Sequence, residues 1–229
     1  MDEARGSEAV VALVFAGGDP PRAGLAARLV PEALVVAADS GVEHAQALDR
    51  HIDVAVGDFD SVAPQALARA EAEGAILLRH SPDKDATDLE LALDVAAARG
   101  ATHVTIVGGH GGRLDHSFAN LLLLGAARFA TLELDAWFGT AHVTVIRRVA
   151  RLTGAPGAYV SLLAVGGPAQ GVSTAGLRYP LHDALLLPGS TLGVSNELVA
   201  PVAEISVRSG VVVAVQPDAL AGEPEQGEA

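Results

Sequence analysis

The feature that most constrains the fold is an alternation of short apolar runs with helical patterns over the first half of the chain. The runs are rich in Val, Ile, Leu and Ala, as expected for strands buried on both faces of a sheet. A repeated strand–helix unit builds a parallel sheet with helices on both faces. The predicted strands are Val10–Ala16, Ala33–Ala38, Ile52–Val56, Ala75–Leu78, His103–Val107 and Thr131–Asp135, and the predicted helices are Leu25–Val30, Val42–Arg50, Pro64–Glu73, Thr87–Arg99 and one after Asp115.

The second half of the chain carries a different pattern, which begins after about Trp137. Short runs with strand character are separated by turns rich in Gly and Pro, and no helical pattern interrupts them, as in a small sandwich or flattened barrel. We therefore predict an α/β domain over residues 1–137, an all-β domain over 138–216 and a disordered acidic tail over 217–229. The predicted strands of this half are His142–Arg147, Tyr159–Val165, Leu185–Leu187, Ala203–Val207 and Val211–Val215.

The composition of the chain excludes several classes of function. Its 229 residues include 28 Asp and Glu against 15 Lys and Arg, which gives a formal net charge of -13. Polyanions are bound mainly through Lys and Arg, so this balance argues against nucleic acid and against an anionic membrane as partners. The absence of cysteine excludes disulfides, thiolate nucleophiles and Cys-ligated zinc. Because the N-terminal residues lack a signal-peptide core and no apolar run is long enough to span a bilayer, we expect a cytoplasmic protein.

Each predicted strand of the first half is followed by a segment that contains Asp, Gly or both. Because the carboxyl ends of parallel strands meet at one rim of the sheet, we expect these segments to converge there. Packing alone does not require several carboxylates at one place, since like charges repel and raise one another's pKa. Mg²⁺ resolves this conflict, because it binds carboxylates together with water and phosphate oxygens. The segments are Gly17-Gly18-Asp19, Asp39-Ser40-Gly41, Gly57-Asp58-Phe59-Asp60-Ser61, Asp83-Lys84-Asp85-Ala86-Thr87-Asp88 and Gly108–His116.

Two of these acidic segments have the form of a metal site. Asp58 and Asp60 are predicted to point to the same side of an extended segment, where both can reach one cation. The alternative is a solvated turn whose Asp caps the next helix. Asp85 and Asp88 flank a capping-box helix start, and capping explains only part of that acidic cluster. Lys84, the only lysine of the chain, lies in the same cluster.

The glycine-rich run that opens the helix after Asp115 has the form of a phosphate cradle. Small residues let backbone N–H groups approach an anion at a helix N-terminus, and Arg113 adds a charged fork for phosphate oxygens. The run is neither a Walker A motif nor a GxGxxG dinucleotide fingerprint. The residues by themselves therefore predict a magnesium-dependent enzyme that transfers a phosphoryl-type group. Trp137 is predicted to pack in the core rather than to stack on a ligand.

Taken in order along the chain, these motifs resemble the thiamine pyrophosphokinase family. The resemblance spans roughly residues 14 to 215. The stretch 134–138 departs from the family pattern, and the chain is unusually rich in Ala and Arg. It implies a Rossmann-like N-terminal α/β domain, a C-terminal β-sandwich, and a homodimer with thiamine bound between subunits. It also implies that Mg-ATP and thiamine react to give thiamine diphosphate and AMP. The motifs that carry it are Ala38-Asp39-Ser40-Gly41, Gly57-Asp58-Phe59-Asp60-Ser61, Lys84-Asp85-Ala86-Thr87-Asp88-Leu89-Glu90, Gly111-Gly112-Arg113-Leu114-Asp115-His116, Gly176-Leu177-Arg178-Tyr179-Pro180-Leu181 and Ser195-Asn196-Glu197.

The resemblance also implies roles for individual residues. Asp58, Asp60 and Asp88 are expected to bind magnesium and to activate the thiamine hydroxyl. Lys84 is expected to act with them in catalysis. Ser195 and Asn196 are expected to line the thiamine pocket from the partner subunit. The residues expected to hold ATP are Asp39, Ser40, Gly41, Ser61, Asp85, Thr87, Gly111, Gly112, Arg113 and Asp115.

Two other functions stay open at this point. One is a phosphohydrolase that uses Asp58-Phe59-Asp60 as an Asp-x-Asp nucleophile, although the glycine-rich run and Arg113 would then have no role. The other is a protein on the same fold that binds a nucleotide or thiamine without catalysis. The size of the acidic set argues against the second alternative, because binding alone needs fewer carboxylates.

Overall fold

The computed structural model describes residues 9–220, and its backbone is organised around one sheet of ten strands. Six neighbouring strands are parallel and stand in the order β4-β3-β2-β1-β5-β6. The apolar residues of β1, β2, β3 and β5 are mostly buried, as predicted for an α/β half, whereas the edge strand β4 has no buried residue. These strands are β1 Val10–Phe15, β2 Leu34–Ala38, β3 Val54–Gly57, β4 Ile76–Arg79, β5 Ala101–Val107 and β6 Glu133–Phe138.

Helices cover both faces of this parallel part. Leu93 of α3 packs with Val14 of β1 on one face, and Val42 of α1 packs with Phe15 on the other. The segment predicted as a helix at Leu25–Val30 is instead a 3₁₀ helix, Ala23–Arg28. The α-helices are α1 Gly41–Ala47, α2 Pro64–Ala72, α3 Asp88–Ala98 and α4 Leu114–Leu123, and a second 3₁₀ helix spans Ala127–Phe129.

The second half of the chain adds four strands to the same sheet and builds a second sheet of four strands. The strands β7 Ala141–Ile146, β9 Tyr159–Ala164, β12 Asn196–Glu197 and β14 Val212–Gln216 extend the main sheet in antiparallel pairing. The second sheet contains β8 Val149–Thr153, β10 Ala169–Ala175, β11 Ala184–Leu186 and β13 Val202–Ser206. Apolar side chains such as Leu162 and Ile205 fill the space between the two layers, which confirms the predicted β-sandwich.

The predicted domain boundary at residue 137 falls inside a hairpin. β6 and β7 pair directly, with Phe138 opposite Ala141, so the two halves share one continuous sheet rather than a linker. The predicted tail also starts too early. Leu220 is buried in the core, and its backbone N–H donates to the Thr140 carbonyl at 3.1 Å. The rest of the predicted tail, 221–229, lies outside the described residues.

The strand order creates a crevice at the carboxyl ends of β1 and β5. The chain leaves β1 toward β2 on one side, and β5 later returns to the other side of β1. Connections that depart in opposite directions leave a gap between them, and ligands bind at such switch points in open α/β sheets. None of the helices within residues 9–220 is long and apolar enough to cross a membrane.

Candidate active site

A cleft of about 760 Å³ opens at this switch point. The loops after β1, β2, β3 and β5 line it, together with the segment that leads into α3. Twelve of the residues predicted from the first half lie along its walls: Asp39, Ser40, Asp58, Asp60, Ser61, Lys84, Asp85, Thr87, Asp88, Gly111, Gly112 and Arg113. Gly41 lies behind the wall, where a Cβ would overlap with the Phe15 carbonyl, and Asp115 lies just outside and pairs with Arg113.

Three carboxylates form the acidic centre of the cleft. Asp39, Asp58 and Asp60 each present an oxygen, and these oxygens lie within 4.8 Å of one another. Oδ1 of Asp39 is buried and has no hydrogen-bond partner among the described residues. Burial raises the pKa of Asp39, and the charges of Asp88, Asp60 and Asp58 raise it further, against one stabilising bond from the Ser40 backbone. An orphaned carboxylate oxygen beside two others fits a divalent cation, which would satisfy all three.

The backbone after β2 and β3 brings these groups together. Asp39 has a φ of 47°, and its backbone N–H donates to the Val56 carbonyl at 2.9 Å. Gly57, at the end of β3, makes this approach possible. A Cβ at Gly57 would lie 3.3 Å from the Cβ of Asp39 and 3.1 Å from Oδ1 of Asp88. A side chain here would crowd both carboxylates, and the φ of 151° at Gly57 also favours glycine.

The segment Asp58-Phe59-Asp60 reaches the cleft in a conformation that differs from the predicted one. Phe59 has a φ of 61°, so the segment turns instead of running extended. The Phe59 ring is buried, and the guanidinium carbon of Arg79 lies 5.0 Å from its centre. This anchor leaves the carboxylates on either side of it in the cleft. Asp60 also accepts a hydrogen bond from the Ser61 hydroxyl at 2.7 Å.

Lys84 bridges two carboxylates on the other side of the cleft. Its ammonium group lies 2.6 Å from Asp88 and 3.3 Å from Asp58. Burial acts to lower the pKa of Lys84, but the hydrogen bonds and charges of Asp88 and Asp58 outweigh it and raise the pKa. The pKa of Asp58 is lowered, because the Asp60 N–H and Lys84 together outweigh its burial. The structure thus groups the carboxylates of Asp39, Asp58 and Asp60. Asp88, which was also predicted to bind the metal, forms an ion pair with Lys84.

The start of α3 places Asp88 and Thr87. The Thr87 hydroxyl accepts a hydrogen bond from the Glu90 backbone N–H at 3.3 Å, which confirms the predicted N-cap. Asp88 is the first residue of the helix, where a negative charge is favoured by the helix dipole. The cap therefore sets the direction in which Asp88 enters the cleft.

Two loops interlock to form the glycine-rich wall. The Gly109 N–H donates to the Gly17 carbonyl at 2.6 Å, and the Asp19 N–H donates to the His110 carbonyl at 2.8 Å. Gly111 has a φ of 86°, and a Cβ there would overlap with the Asp19 carboxylate. The loop after β5 is therefore held in place by hydrogen bonds to the loop after β1.

Two further residues of this wall, Asn120 and His110, were not predicted as site residues from the sequence. Asn120 of α4 is buried, and its amide donates to the Gly109 carbonyl at 2.7 Å. His110 lines the cleft and stacks on Phe138, with 6.0 Å between the ring centres. A polar residue in the otherwise apolar end of α4 was the available signal for Asn120. His110 carries no such signal, because its contacts come from a distant hairpin.

Arg113 and Asp115 form an exposed ion pair at the mouth of the cleft. The guanidinium donates to both carboxylate oxygens, at 2.6 and 3.2 Å. The hydrogen bond from Arg113 lowers the pKa of Asp115 to about 2. A phosphate that binds Arg113 has to share its fork with Asp115 or displace it.

The predicted thiamine-binding pair lies elsewhere in the chain. Ser195 is exposed beside the sandwich, and its backbone N–H donates to the Ser161 hydroxyl at 3.1 Å. Asn196 is 2% exposed. Its carbonyl oxygen accepts from the N–H groups of Tyr179 and Glu197, and its amide donates to the Tyr179 carbonyl. Asn196 therefore holds its own loops together, and one chain alone does not bring this pair to the cleft.

Comparison with known proteins agrees with this geometry. The family model described as "Thiamin pyrophosphokinase, catalytic domain" matches residues 27–134, and "Thiamin pyrophosphokinase, vitamin B1 binding domain" matches residues 144–212. Thiamine pyrophosphokinase of Bacillus subtilis is 28% identical over 172 residues, which cover 71% of this chain and 77% of that protein. Thiamine pyrophosphokinase 1 of rice is 26% identical over 63% of this chain and 58% of the relative.

Solved structures show the same relationship. The crystal structure of the Bacillus subtilis thiamine pyrophosphokinase superposes with a TM-score of 0.78 at 25% identity, over 90% of this chain and 98% of that chain. The Geobacillus thermodenitrificans enzyme gives a TM-score of 0.75 at 26% identity, over 90% and 97% of the two chains. The structure from Candida albicans shares the fold, with a TM-score of 0.75 at 13% identity, over 91% and 89%. Both domain models of one family match in order, and the fold agrees, so the chain belongs to the thiamine pyrophosphokinase family.

Proposed function

We propose that the protein transfers diphosphate from Mg-ATP to the thiamine hydroxyl and releases AMP. The observation that carries this proposal is the Asp39, Asp58 and Asp60 cluster with its orphaned buried oxygen, beside a glycine-rich phosphate cradle at the switch point. Family membership supports thiamine as the acceptor. The clustered carboxylates of the cleft would repel a free phosphate, so they favour a nucleotide that binds together with a divalent cation.

In this proposal the three clustered carboxylates hold the magnesium ion. When bound, the ion neutralises phosphate charge and makes the phosphorus more electrophilic. Asp39 and Asp58 are held by the ends of β2 and β3, so their oxygens are positioned before substrate binds. Asp60 reaches the same point from the turn at Phe59.

The remaining residues position the nucleotide. Backbone N–H groups of Gly111 and Gly112, which precede α4, are available to the phosphates, and Arg113 offers its guanidinium at the mouth. Lys84 supplies a fixed positive charge between Asp58 and Asp88. These groups stabilise the charge that the transferred phosphates spread in the transition state.

The chemical step is an in-line displacement. The thiamine hydroxyl oxygen forms a bond to the β-phosphorus, and the bond between this phosphorus and the oxygen bridging to the α-phosphorus breaks. The bridging oxygen leaves as part of AMP. Two carboxylates of the cleft lie outside the three-carboxylate group, the exposed Asp85 and the half-buried Asp88. We assign the hydroxyl proton to Asp88.

The direct test is AMP formation from Mg-ATP with and without thiamine. We expect thiamine-dependent AMP release, and we expect Asp60→Asn and Asp88→Asn each to lower it by roughly 10²- to 10⁴-fold. Asp183→Asn is the matched control, because Asp183 is an exposed carboxylate paired with Arg208 in the sandwich. Near-normal AMP release by either cleft variant would show that its assignment is wrong.

The same assay separates the two alternatives. A phosphohydrolase that uses Asp58 would cleave phosphate esters without ATP, and the thiamine requirement would disappear. A binding protein would retain ATP and thiamine without AMP release.

The proposal includes a homodimer, because Ser195 does not reach the cleft of its own chain. An apolar stripe on α4 supports this. Leu114, Phe118 and Leu122 follow one another at four-residue spacing and are 83%, 60% and 48% exposed. The stripe starts directly after the glycine-rich wall, so a second copy seated on it would contact the mouth of the cleft.

A further inference from the structure

A second cavity lies on the main sheet away from the cleft. It has a volume of about 780 Å³ and lies between the end of the first 3₁₀ helix and the strand β8 of the small sheet. Its floor is formed by β5, β6 and β7, on the face that α1 and α2 cover farther along the sheet. The volume is in the range of small-molecule sites.

The floor of this groove is polar, although packing of the sheet does not require polar residues there. Thr105, Asp135 and Thr144 stand opposite one another on three neighbouring strands and form a polar row across the middle of the sheet. His103 and His142 flank that row. On the same face of β1 the corresponding side chains are apolar and buried under helices. A polar floor is therefore a property of the groove.

The hydrogen bonds of the floor are satisfied within it. Asp135 accepts from the Thr105 hydroxyl at 2.8 Å and lies 3.1 Å from a ring nitrogen of His103 and 2.9 Å from one of His142. Burial acts to raise the pKa of Asp135, but the bonds from His103 and His142 outweigh it and lower the pKa to about 2. The same bond raises the pKa of His103. These hydrogen bonds stabilise the charged form of Asp135.

The rim of the groove carries four arginines and one exposed glutamate, Glu133, in a protein that is acidic as a whole. Four of the 15 Lys and Arg residues of the chain line this one cavity, whereas the net charge is -13. Arg148 is exposed there, and Arg151 pairs with Glu204 only at the surface. A local cluster of guanidinium groups attracts small anions and matches phosphate oxygens in geometry. The arginines are Arg28, Arg147, Arg148 and Arg151.

We propose that this groove is a second binding site, for a small phosphate-bearing molecule. The arginine rim takes the anionic group, and the rest of the molecule lies over the Thr and His side chains of the floor. The groove is separate from the cleft in which diphosphate transfer is proposed, so binding in the groove can be tested independently of that reaction. Trp137 lies at the inner end of the floor and stacks on His142, with 4.4 Å between ring centres.

The test uses Trp137, the only tryptophan of the chain, as the reporter. Inorganic diphosphate is titrated into the full-length protein in EDTA, without nucleotide or thiamine, and tryptophan fluorescence is recorded. We expect a saturable change that weakens as ionic strength rises. A linear or absent response would overturn the proposal.

Two variants locate the response. Arg148→Glu should weaken diphosphate binding about tenfold or more, because it replaces an attractive charge with a repulsive one. Arg69→Glu, which alters an exposed ion-paired arginine on α2 outside the groove, should bind as the unaltered protein does. Equal loss in both variants would indicate non-specific attraction and contradict the proposal. Circular dichroism and the unfolding midpoint confirm that Arg148→Glu is folded.

The catalytic cleft is the competing location for diphosphate. Arg113→Ala removes the fork at the mouth of that cleft and leaves the groove unchanged. We expect its fluorescence titration to match that of the unaltered protein. If the response is lost in Arg113→Ala and kept in Arg148→Glu, the anion binds in the cleft and the second site does not exist.

Discussion

The backbone of Asp39 turns to a positive φ directly after β2, and this turn buries one carboxylate oxygen against two neighbouring carboxylates. Folding alone gives that oxygen no partner. A buried, unpaired acceptor and three like charges are both unfavourable, so the cluster lowers the stability of the metal-free protein. Such a local conflict is expected where a site is arranged for a ligand and not for packing.

Asp39→Asn should therefore change stability in opposite directions with and without metal. In EDTA the variant should unfold at a higher temperature, by roughly 2–4 °C for each kcal/mol of repulsion removed. Mg²⁺ should stabilise the variant less than the unaltered protein, because one charged ligand is gone. Thermal unfolding over a range of Mg²⁺ concentrations measures both effects. A lower midpoint in EDTA would contradict the repulsion that raises the pKa of Asp39.

His110 connects the glycine-rich wall to the hairpin between β6 and β7. Its ring stacks on Phe138, and a Cβ at Gly139 would lie 3.0 Å from its Nε2. Gly139 has a φ of 64°, which favours glycine, and the absence of a side chain there leaves room for the His110 ring. The position of the wall thus depends on the turn of a distant hairpin.

This contact predicts coupling between His110 and Gly139. Gly139→Ala should displace the His110 ring and with it the glycine-rich wall of the cleft. It should therefore raise the KM for ATP more than it lowers kcat. In a His110→Ala background the same substitution should cost less, because the ring is gone and only backbone strain remains. A double-mutant cycle on KM should give a coupling of about 0.5–3 kcal/mol. Additive effects would mean that the two residues do not communicate.

At the scale of elements, the sequence predicts well where local rules decide. The Thr87 cap and the apolar runs of β1, β2, β3 and β5 lie within a few residues of their predicted positions. β8 and β10 escaped prediction. β8 has only Leu152 fully buried, and a register shift around Gly171 interrupts the alternation of β10, so pairing with β13, and for β10 also with β11, defines these strands. The continuity of the sheet through β6 and β7 has no local signal, since register depends on partners distant in sequence.

The candidate site follows the same rule. Convergence of the acidic segments could be predicted, because parallel strands place their carboxyl ends together. Which carboxylates share a point could not be predicted. The left-handed turn at Phe59 and the bridge of Lys84 are tertiary outcomes. They bring Asp39 to Asp58 and Asp60, with Asp88 close by and paired with Lys84.

The strands β5, β6 and β7 are joined by the network around Asp135, and this predicts a pH-dependent stability. The pKa of Asp135 falls from 3.8 to about 2 on folding, so its contribution is present above about pH 4 and is lost as the pH falls toward 2. The shift corresponds to about 2 kcal/mol. The pKa of His103 rises on folding, so its contribution is present below 6.5 and is lost as the pH rises through the raised value.

Asp135→Asn should therefore be most destabilising between about pH 4 and 6.5, by about 2 kcal/mol, and the difference from the unaltered protein should vanish toward pH 2. Urea unfolding at a series of pH values measures it. Asp183→Asn, in an exposed ion pair, is the control and should show little pH dependence. A constant difference at all pH values would show that packing, and not the charge network, explains the loss.

At the scale of the whole molecule, the two halves are one sheet, and the residues expected to bind thiamine lie at its opposite end from the acidic cluster. Ser195 and β12 flank the last antiparallel strands, whereas Asp39 and Asp58 follow β2 and β3. Motion within the chain cannot close this distance without breaking the sheet. The proposed second copy would bring the pair to the cleft, and an apolar contact such as the α4 stripe would avoid placing the charges of two acidic chains against each other.

The α4 stripe predicts that dimerisation and activity are lost together. Phe118→Glu should shift the protein to a monomer in size-exclusion chromatography with light scattering, and thiamine-dependent AMP release should fall with it. Because association is driven by mass action, activity per chain should recover as protein concentration rises, and added salt should help by screening like charges. Ile76→Glu is the matched control, since Ile76 on β4 is as exposed as Leu122, at 48%. A monomeric Phe118→Glu protein with full activity would show that one chain contains the complete site.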